Sequence, residues 1–188
     1  FPESLSSAFG GADLHRQLES AFAKYKIAVL YDVPISEITP SEVVSEQKHR
    51  IEYDLLMLVP PFRGQAILNY LGITDGDDFV KVDDRMKVYG LNNTYAAGDI
   101  VAFSGPKFAH MAVRQAEVAA ANIAAELNGE ERQRTYYHEL AAVIDAGGPD
   151  SIYLHYGIWD DHLHRLKQGK FWTWAKEIHD ALWRARHR

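Results

Sequence analysis

The chain has 188 residues, a formal net charge of -6, 47% hydrophobic and 24% charged residues, which is ordinary globular usage and excludes a disordered or low-complexity chain. The acidic balance provides no field to attract a polyanion, so nucleic-acid reading is not expected. The sequence has no cysteine, which rules out disulfides, thiolate metal sites and cysteine nucleophiles within these residues.

Phe1 is an unusual start, and FPESLSSAFGGADLHRQ lacks the basic and then apolar run of a signal peptide; the sequence reads as cut from something longer. Asp13 is an N-cap candidate for an amphipathic helix in which Leu14, Leu18, Ala21 and Phe22 recur at helical spacing up to Tyr25. IAVLYD (27–32), Ile35 to Ile38 and SEVVSE (41–46) read as short strands set apart by Pro34 and Pro40. HRIEYDLLMLVPP predicts a strand ending at Pro60-Pro61, where the missing amide hydrogens stop a ladder. Its apolar run, Leu55 to Pro61, is far short of a membrane span.

Beyond Arg63 and Gly64, QAILNYLG predicts a short helix closed by Gly72, and FVKVDDRMKV alternates like a strand pair. Phe108 to Leu127, after Pro106 and before Asn128-Gly129, predicts a long, largely buried Ala-rich helix. Glu130, Glu131, Arg132 and Arg134 read as a solvated linker, after which all four tryptophans fall within 135–188. Three regions follow, 1–60, 61–129 and 130–188. In GKFWTWAKEIHDALWRARHR, Phe171, Trp174, Ile178, Ala181 and Leu182 share one helical face while Lys176, Arg184, Arg186 and Arg188 add charge. That is the composition of a helix in a membrane interface, or of one packed on the body or on a twin subunit.

The sharpest local signal is Thr94-Tyr95-Ala96-Ala97-Gly98-Asp99, between the alternating segment and the long helix. Small residues admit close approach of a ligand to the backbone, Asp99 offers an acceptor to a ligand hydroxyl, and the helix start offers amide hydrogens to negative charge. The alternative is a tight turn with a capping carboxylate. Asp160, Asp161, His162 and His164, with His155 nearby, lack a recognised metal-ligand spacing, so no metal site is expected. His110 is a proton relay or a packed side chain, and Arg63 meets a cofactor or a carboxylate or stays solvated.

TYAAGDI, with DLLMLVPPFRG and FVKVDDRMKV before it and GPKFAHMAVRQAEVAAANIAAEL after it, resembles the C-terminal half of the two-dinucleotide-domain flavoproteins of the pyridine nucleotide-disulfide oxidoreductase type. Within them it looks most like the sulfide:quinone oxidoreductase and flavocytochrome c sulfide dehydrogenase branch, with type II NADH dehydrogenases as neighbours. The resemblance implies an α/β, partial FAD/NAD(P)-binding fold with a C-terminal helical membrane or dimer region. On it, 1–60 is the second half of an NAD-binding-like domain, 61–129 the C-terminal half of the FAD domain, and 130–188 an interface region.

It further implies FAD as cofactor, with Asp99 on the ribityl chain, Gly98 and Ile100 beside it, and Lys107, Phe108 and Ala109 at the flavin pyrimidine. Quinone and a small reductant, sulfide or NADH, are the implied partners, with a cytoplasmic or peripheral membrane location. The chain departs from the family in two respects. No G-x-G-x-x-G is present, so the phosphate-binding half is not in these residues and the piece alone is not expected to be active. No redox cysteine is present either; Ala142 stands about where sulfide-oxidising members carry one. A domain of this fold that has lost its flavin half, acting only in interaction, is the non-enzymatic alternative.

Overall fold

In the computed structural model, residues 8–131 and 133–186 are described; Phe1–Ser7, Arg132, His187 and Arg188 lie outside them, and with them the start of the opening segment and one cation each of the linker and the C-terminal helix. Helix α1 runs His15–Lys24 with Leu14 at its N-cap. Asp13 sits one residue earlier than a cap and accepts the His15 amide hydrogen at 3.1 Å. Three short strands follow, β1 (Ile35–Ile38), β2 (Glu42–Ser45) and β3 (Arg50–Glu52), antiparallel in the order β1-β2-β3. The β1–β2 turn is closed by Thr39, whose Oγ1 accepts the Glu42 amide hydrogen at 3.1 Å.

One expected strand is not formed and another is cut short. Residues 27–32 are irregular, with Ile27 53% and Leu30 48% exposed, and the left-handed backbones of Lys26 and Asp32, φ 56° and 51°, interrupt extension at both ends. β3 stops at Glu52, and the apolar stretch beyond it is open, with Leu55 90% and Met57 88% exposed. Apolarity there gave a strand pattern, but a strand needs a ladder partner, and none is among the described residues.

The 66–71 segment is a 3-10 helix, Ala66–Leu71, closed by Gly72 at φ 68°. The 79–88 strand pair is reduced to single bridges, Val80 with Val101 and Val82 with Val88. Its tip is a tight turn in which Asp83 Oδ1 accepts the amide hydrogens of Arg85 and Lys87, both at 2.9 Å. These bridges enclose an apolar cluster of Ile73, Val80, Val82, Met86, Val88, Val101, Ala119 and Tyr136.

Helix α2 spans Ala109–Asn128 and ends on Gly129 at φ 69°. It is not buried all round: one stripe, Met111, Gln115, Ala119, Asn122 and Ala125, faces inward, and the rest meets solvent or is half-covered. Two of those five are amides. Asn122 Nδ2 donates to Arg85 O at 3.0 Å and Arg134 O at 2.8 Å, while its Oδ1 accepts the Arg134 amide hydrogen at 2.6 Å. A fully buried amide is tolerated because these partners replace water.

The C-terminal region is half sheet, where a helical region was expected. β4 (Glu139–Ile144), β5 (Ser151–Gly157) and β6 (His162–Gly169) form an antiparallel meander, followed by α3 (Lys170–Arg186). Strand alternation turns Leu140, Ile152, Leu154 and Tyr156 onto a core with Ala12, Leu14 and Leu18 from the N-terminal part and Met111 from α2. On the other face Tyr153 stacks on Trp172 of α3, ring centroids 4.2 Å apart. No described helix is long and apolar enough to cross a membrane.

Candidate functional site

Gly98 and Asp99 lie in a loop pinned from both sides. The Val80 amide donates to Ile100 O and the Ala102 amide to Val80 O, each at 2.8 Å, which fixes the loop's exit against residues 80–82. From the helix side, buried Gln115 reaches out of α2 and its Oε1 accepts the Gly98 amide hydrogen at 2.7 Å. Gly98 has φ 87°, a left-handed backbone that favours glycine. The turn therefore stays in one shape, with its small side chains leaving the backbone accessible.

Asp99 is exposed at the rim and makes no hydrogen bond among the described residues, so its carboxylate is open to a ligand hydroxyl. It is not a capping residue: the N-cap of α2 is Phe108, and no side chain caps the helix. The first amide hydrogens of α2 have no intrahelical acceptor, and they carry the positive end of a 20-residue helix. Asp99, Gly98, Lys107, Phe108, Ala112 and Gln115 line one small, largely enclosed gap of about 10 Å³. Of the residues singled out in the sequence, Gly98, Asp99, Lys107 and Phe108 thus come together, while Ile100 is half-buried against the Val80–Val101 cluster and Ala109 is exposed at the helix start.

The Lys107 side chain is tied to the backbone of its own loop. Its Nζ donates to Val101 O at 2.6 Å and Phe103 O at 3.1 Å and lies 4.5 Å from the centre of the Phe79 ring. Burial pulls its pKa below the usual lysine value, against the opposing pull of Asp99 and Asp75. Its charge holds the 101–107 loop in place, leaving its backbone and that of Phe108 as what the loop presents.

Two further residues of the site were not singled out in the sequence. Gln115 is one, and His138, 2% exposed, is the other. His138 Nε2 lies 2.7 Å from Ser104 O and so donates to it, and Nδ1 accepts from the Tyr136 hydroxyl at 3.1 Å. Phe103 stacks on Tyr136 and meets His138 and Trp159, which closes an aromatic wall behind the loop. Burial lowers the His138 pKa, and burial likewise lowers that of His110. His110 is a packed tie between elements: its Nε2 accepts the Ala141 amide hydrogen at 3.3 Å.

Both histidines have a folded-state pKa below the unfolded one, so the unfolded chain binds more protons and stability rises with pH. The contribution is complete above the ordinary histidine value of about 6.5 and is lost as pH falls from there towards the folded pKa. Acidification from pH 7.5 to 5.5 is therefore expected to lower the melting temperature, by about 2–4 °C for each kcal/mol lost in a chain of this size. His138→Gln, whose amide can still donate to Ser104 O without titrating, should flatten that slope in thermal melts; an unchanged slope would remove His138 from the account.

Of the remaining candidates, Arg63 meets a carboxylate, Asp77 at 3.6 Å, in a pair two-thirds exposed on both sides and so of small energetic value. Ala142, on β4, pairs with Leu154 of β5 and packs against the core around Leu140. Asp160, Asp161, His162 and His164 are exposed. His155 and His164 are drawn close to Glu139, a residue the sequence did not connect with them because only the pairing of β4 with β5 brings it there.

Residues 3–116 match the family described as pyridine nucleotide-disulphide oxidoreductase. Among solved structures, the chain is similar to the sulfide:quinone oxidoreductase from the hyperthermophilic bacterium Aquifex aeolicus, with a TM-score of 0.82 and 20% identity over 98% of this chain and 48% of that one. A ferredoxin reductase from Rhodopseudomonas palustris matches with a TM-score of 0.57 and 17% identity, over 77% of this chain and 37% of that one. The water-forming NADH oxidase from Lactobacillus brevis gives 0.54 and 19%, over 78% and 34%. The chain thus spans about half the length of the first of these or less of the others, and shares their fold.

Proposed function

Since the chain belongs to the pyridine nucleotide-disulphide oxidoreductase family, whose members are FAD-binding flavoproteins, we propose that it forms the C-terminal half of an FAD-dependent oxidoreductase that passes electrons from sulfide through FAD to a quinone. FAD would supply the two-electron chemistry. Asp99 would accept hydrogen bonds from the ribityl hydroxyls, with Gly98 and Ile100 fixing its position. The amides of Phe108 and Ala109 and the backbone of Lys107 would face the pyrimidine edge, where the helix dipole favours negative charge. The observation that carries the assignment is the exposed Asp99 carboxylate, without a hydrogen-bond partner among the described residues, on a loop locked by Gln115 beside an uncapped helix start.

The sulfide and quinone reading is supported by the extent of the likeness, 98% of the chain against the Aquifex aeolicus enzyme and 78% against the NADH oxidase. α3 supports quinone access. Phe171, Trp174, Ile178 and Leu182 are 61%, 58%, 39% and 65% exposed along one face, with Arg184 and Arg186 in the last turn. Such a helix lies at the headgroup level of a bilayer, where a lipid-soluble quinone is reached; the same face is what a twin subunit would cover in a homodimer.

One observation favours a second reading: the chain has no cysteine, and a type II NADH:quinone-like dehydrogenase requires none. The test is anaerobic reduction of the FAD-loaded whole protein. Bleaching of the visible flavin band by sulfide, reversed by a soluble quinone, is the expected result. Bleaching by NADH and not by sulfide moves the assignment to the second reading, and indifference to both overturns the pair.

A further inference from the structure

On the outer face of the C-terminal sheet, three adjacent strands each contribute one side chain that binds metals: Glu139 from β4, His155 from β5 and His164 from β6. One ligand atom of each lies within 4.8 Å of those of the other two. We propose that these three side chains bind a single divalent ion of the zinc class.

The sheet register argues that the cluster is built and not incidental. His155 pairs with Arg165, so regular alternation would turn His164 to the opposite face, towards the core. The register slips at that point: the next pair is Tyr156 with Leu163, which leaves His164 as the extra residue of a bulge. A bulge re-aims a side chain, and here the His164 ring comes to 4.6 Å from that of His155, centroid to centroid. The slip thus gathers two imidazoles on the face that already holds Glu139.

The chemistry of the three fits. Glu139 uses its oxygens separately, Oε1 against Arg114 and Oε2 at 2.8 Å from His155 Nε2. The guanidinium orients the carboxylate from outside, as an outer-shell partner does. Tetrahedral ligands bound about 2.0–2.2 Å from zinc stand roughly 3.3–3.6 Å apart, so the 2.8 Å Glu139–His155 contact must open by about 0.5–0.8 Å to admit the ion. Two imidazoles and one carboxylate without a thiolate select zinc and its transition-metal neighbours over magnesium or calcium. His164 is exposed, which leaves the remaining position to water. The Tyr137 hydroxyl, hydrogen-bonded to Asp160, stands 3.5 Å from His164 Nε2 and packs beside it.

The test uses the FAD-loaded whole protein without a histidine tag, stripped with a chelator. Zn2+ is titrated in competition with a chromophoric chelator, and Co2+ is added separately to read its visible ligand-field bands. One equivalent of Zn2+ is expected, with affinity falling at least about tenfold in His164→Ala and in Glu139→Gln, and with the Co2+ bands lost in both. His179→Ala, on exposed α3, should leave binding as it was. Both cluster variants are compared at unchanged flavin content and melting temperature, and His155→Gln replaces either one that fails to fold. Absence of stoichiometric binding, or equal affinity in wild type and the folded cluster variants, overturns the proposal and leaves Glu139 and His155 as a hydrogen-bonded pair.

Discussion

Asp99→Ala is expected to leave the protein largely without flavin. Hydrogen bonds to a charged acceptor contribute about 1.5–3 kcal/mol, so losing one weakens FAD binding roughly 10- to 150-fold. The measurement is the flavin-to-protein ratio after gel filtration, followed by a fluorescence titration of the stripped protein. Asp99 is exposed and has no hydrogen-bond partner among the described residues, so the flavin-free variant should melt where the flavin-free wild type does. That separates loss of a ligand contact from loss of the fold. Full flavin retention in Asp99→Ala would withdraw the ribityl assignment.

Gly64→Ala should be the most damaging single methyl in the chain. A Cβ at Gly64 would stand 1.9 Å from Asp78 O, 2.1 Å from its carbonyl carbon and 2.5 Å from the Phe79 nitrogen. All three are backbone atoms, in a segment further held by the Gly64 amide donating to Asp77 O at 2.9 Å. The backbones must separate, which places the cost at the top of the ~1–3 kcal/mol range for overpacking, or a fall of roughly 6–12 °C in melting temperature at 2–4 °C per kcal/mol. Gly72→Ala is the comparison: nothing lies within 4 Å of its Cβ, and only the backbone at φ 68° resists, at about 1–2 kcal/mol. Equal melting temperatures for the two variants would show that the 64–78 contact relaxes freely.

These two glycines mark what the sequence could and could not reveal. Gly72 and Gly129 end helices and are legible from position alone, as is α2 between Pro106 and Gly129. β1 and β2 were legible because Pro34 and Pro40 bound them. The PPFRG segment stood out through resemblance, but the reason for its glycine is a contact with residue 78, invisible along the chain. The stretches 27–32 and 54–61 misled because their apolar composition imitates a covered strand, whereas Ile27, Leu30, Leu55 and Met57 stand exposed. β6 was missed for the opposite reason. HLHRLKQG is exposed over most of its length, so pairing with β5 forms it and no apolar pattern announces it.

In the candidate site, Asp99 and the start of α2 were legible from small residues followed by a carboxylate and a long helix. Gln115 was not, though a signal existed: an amide on the same helical stripe as Met111 and Ala119 must find a buried partner. Asn122 shows the same signal one heptad on. His138 has no such neighbours in sequence, because the groups it bonds, Ser104 and Tyr136, meet it only through folding of the 101–107 loop.

The spacing of the two α2 amides has a consequence for how this stretch tolerates change in length. Gln115 secures the Gly98 loop and Asn122 secures residues 85 and 134, so one rod indexes two separate parts of the chain at once. A helix advances 3.6 residues per turn, so inserting or deleting one residue between them would rotate one amide about 100° away from its partners. Substitutions along the outward side of that interval leave both connections in place, whereas a shift of a single codon breaks one of them. On its outward side this helix is therefore free in identity, while its number of residues is fixed.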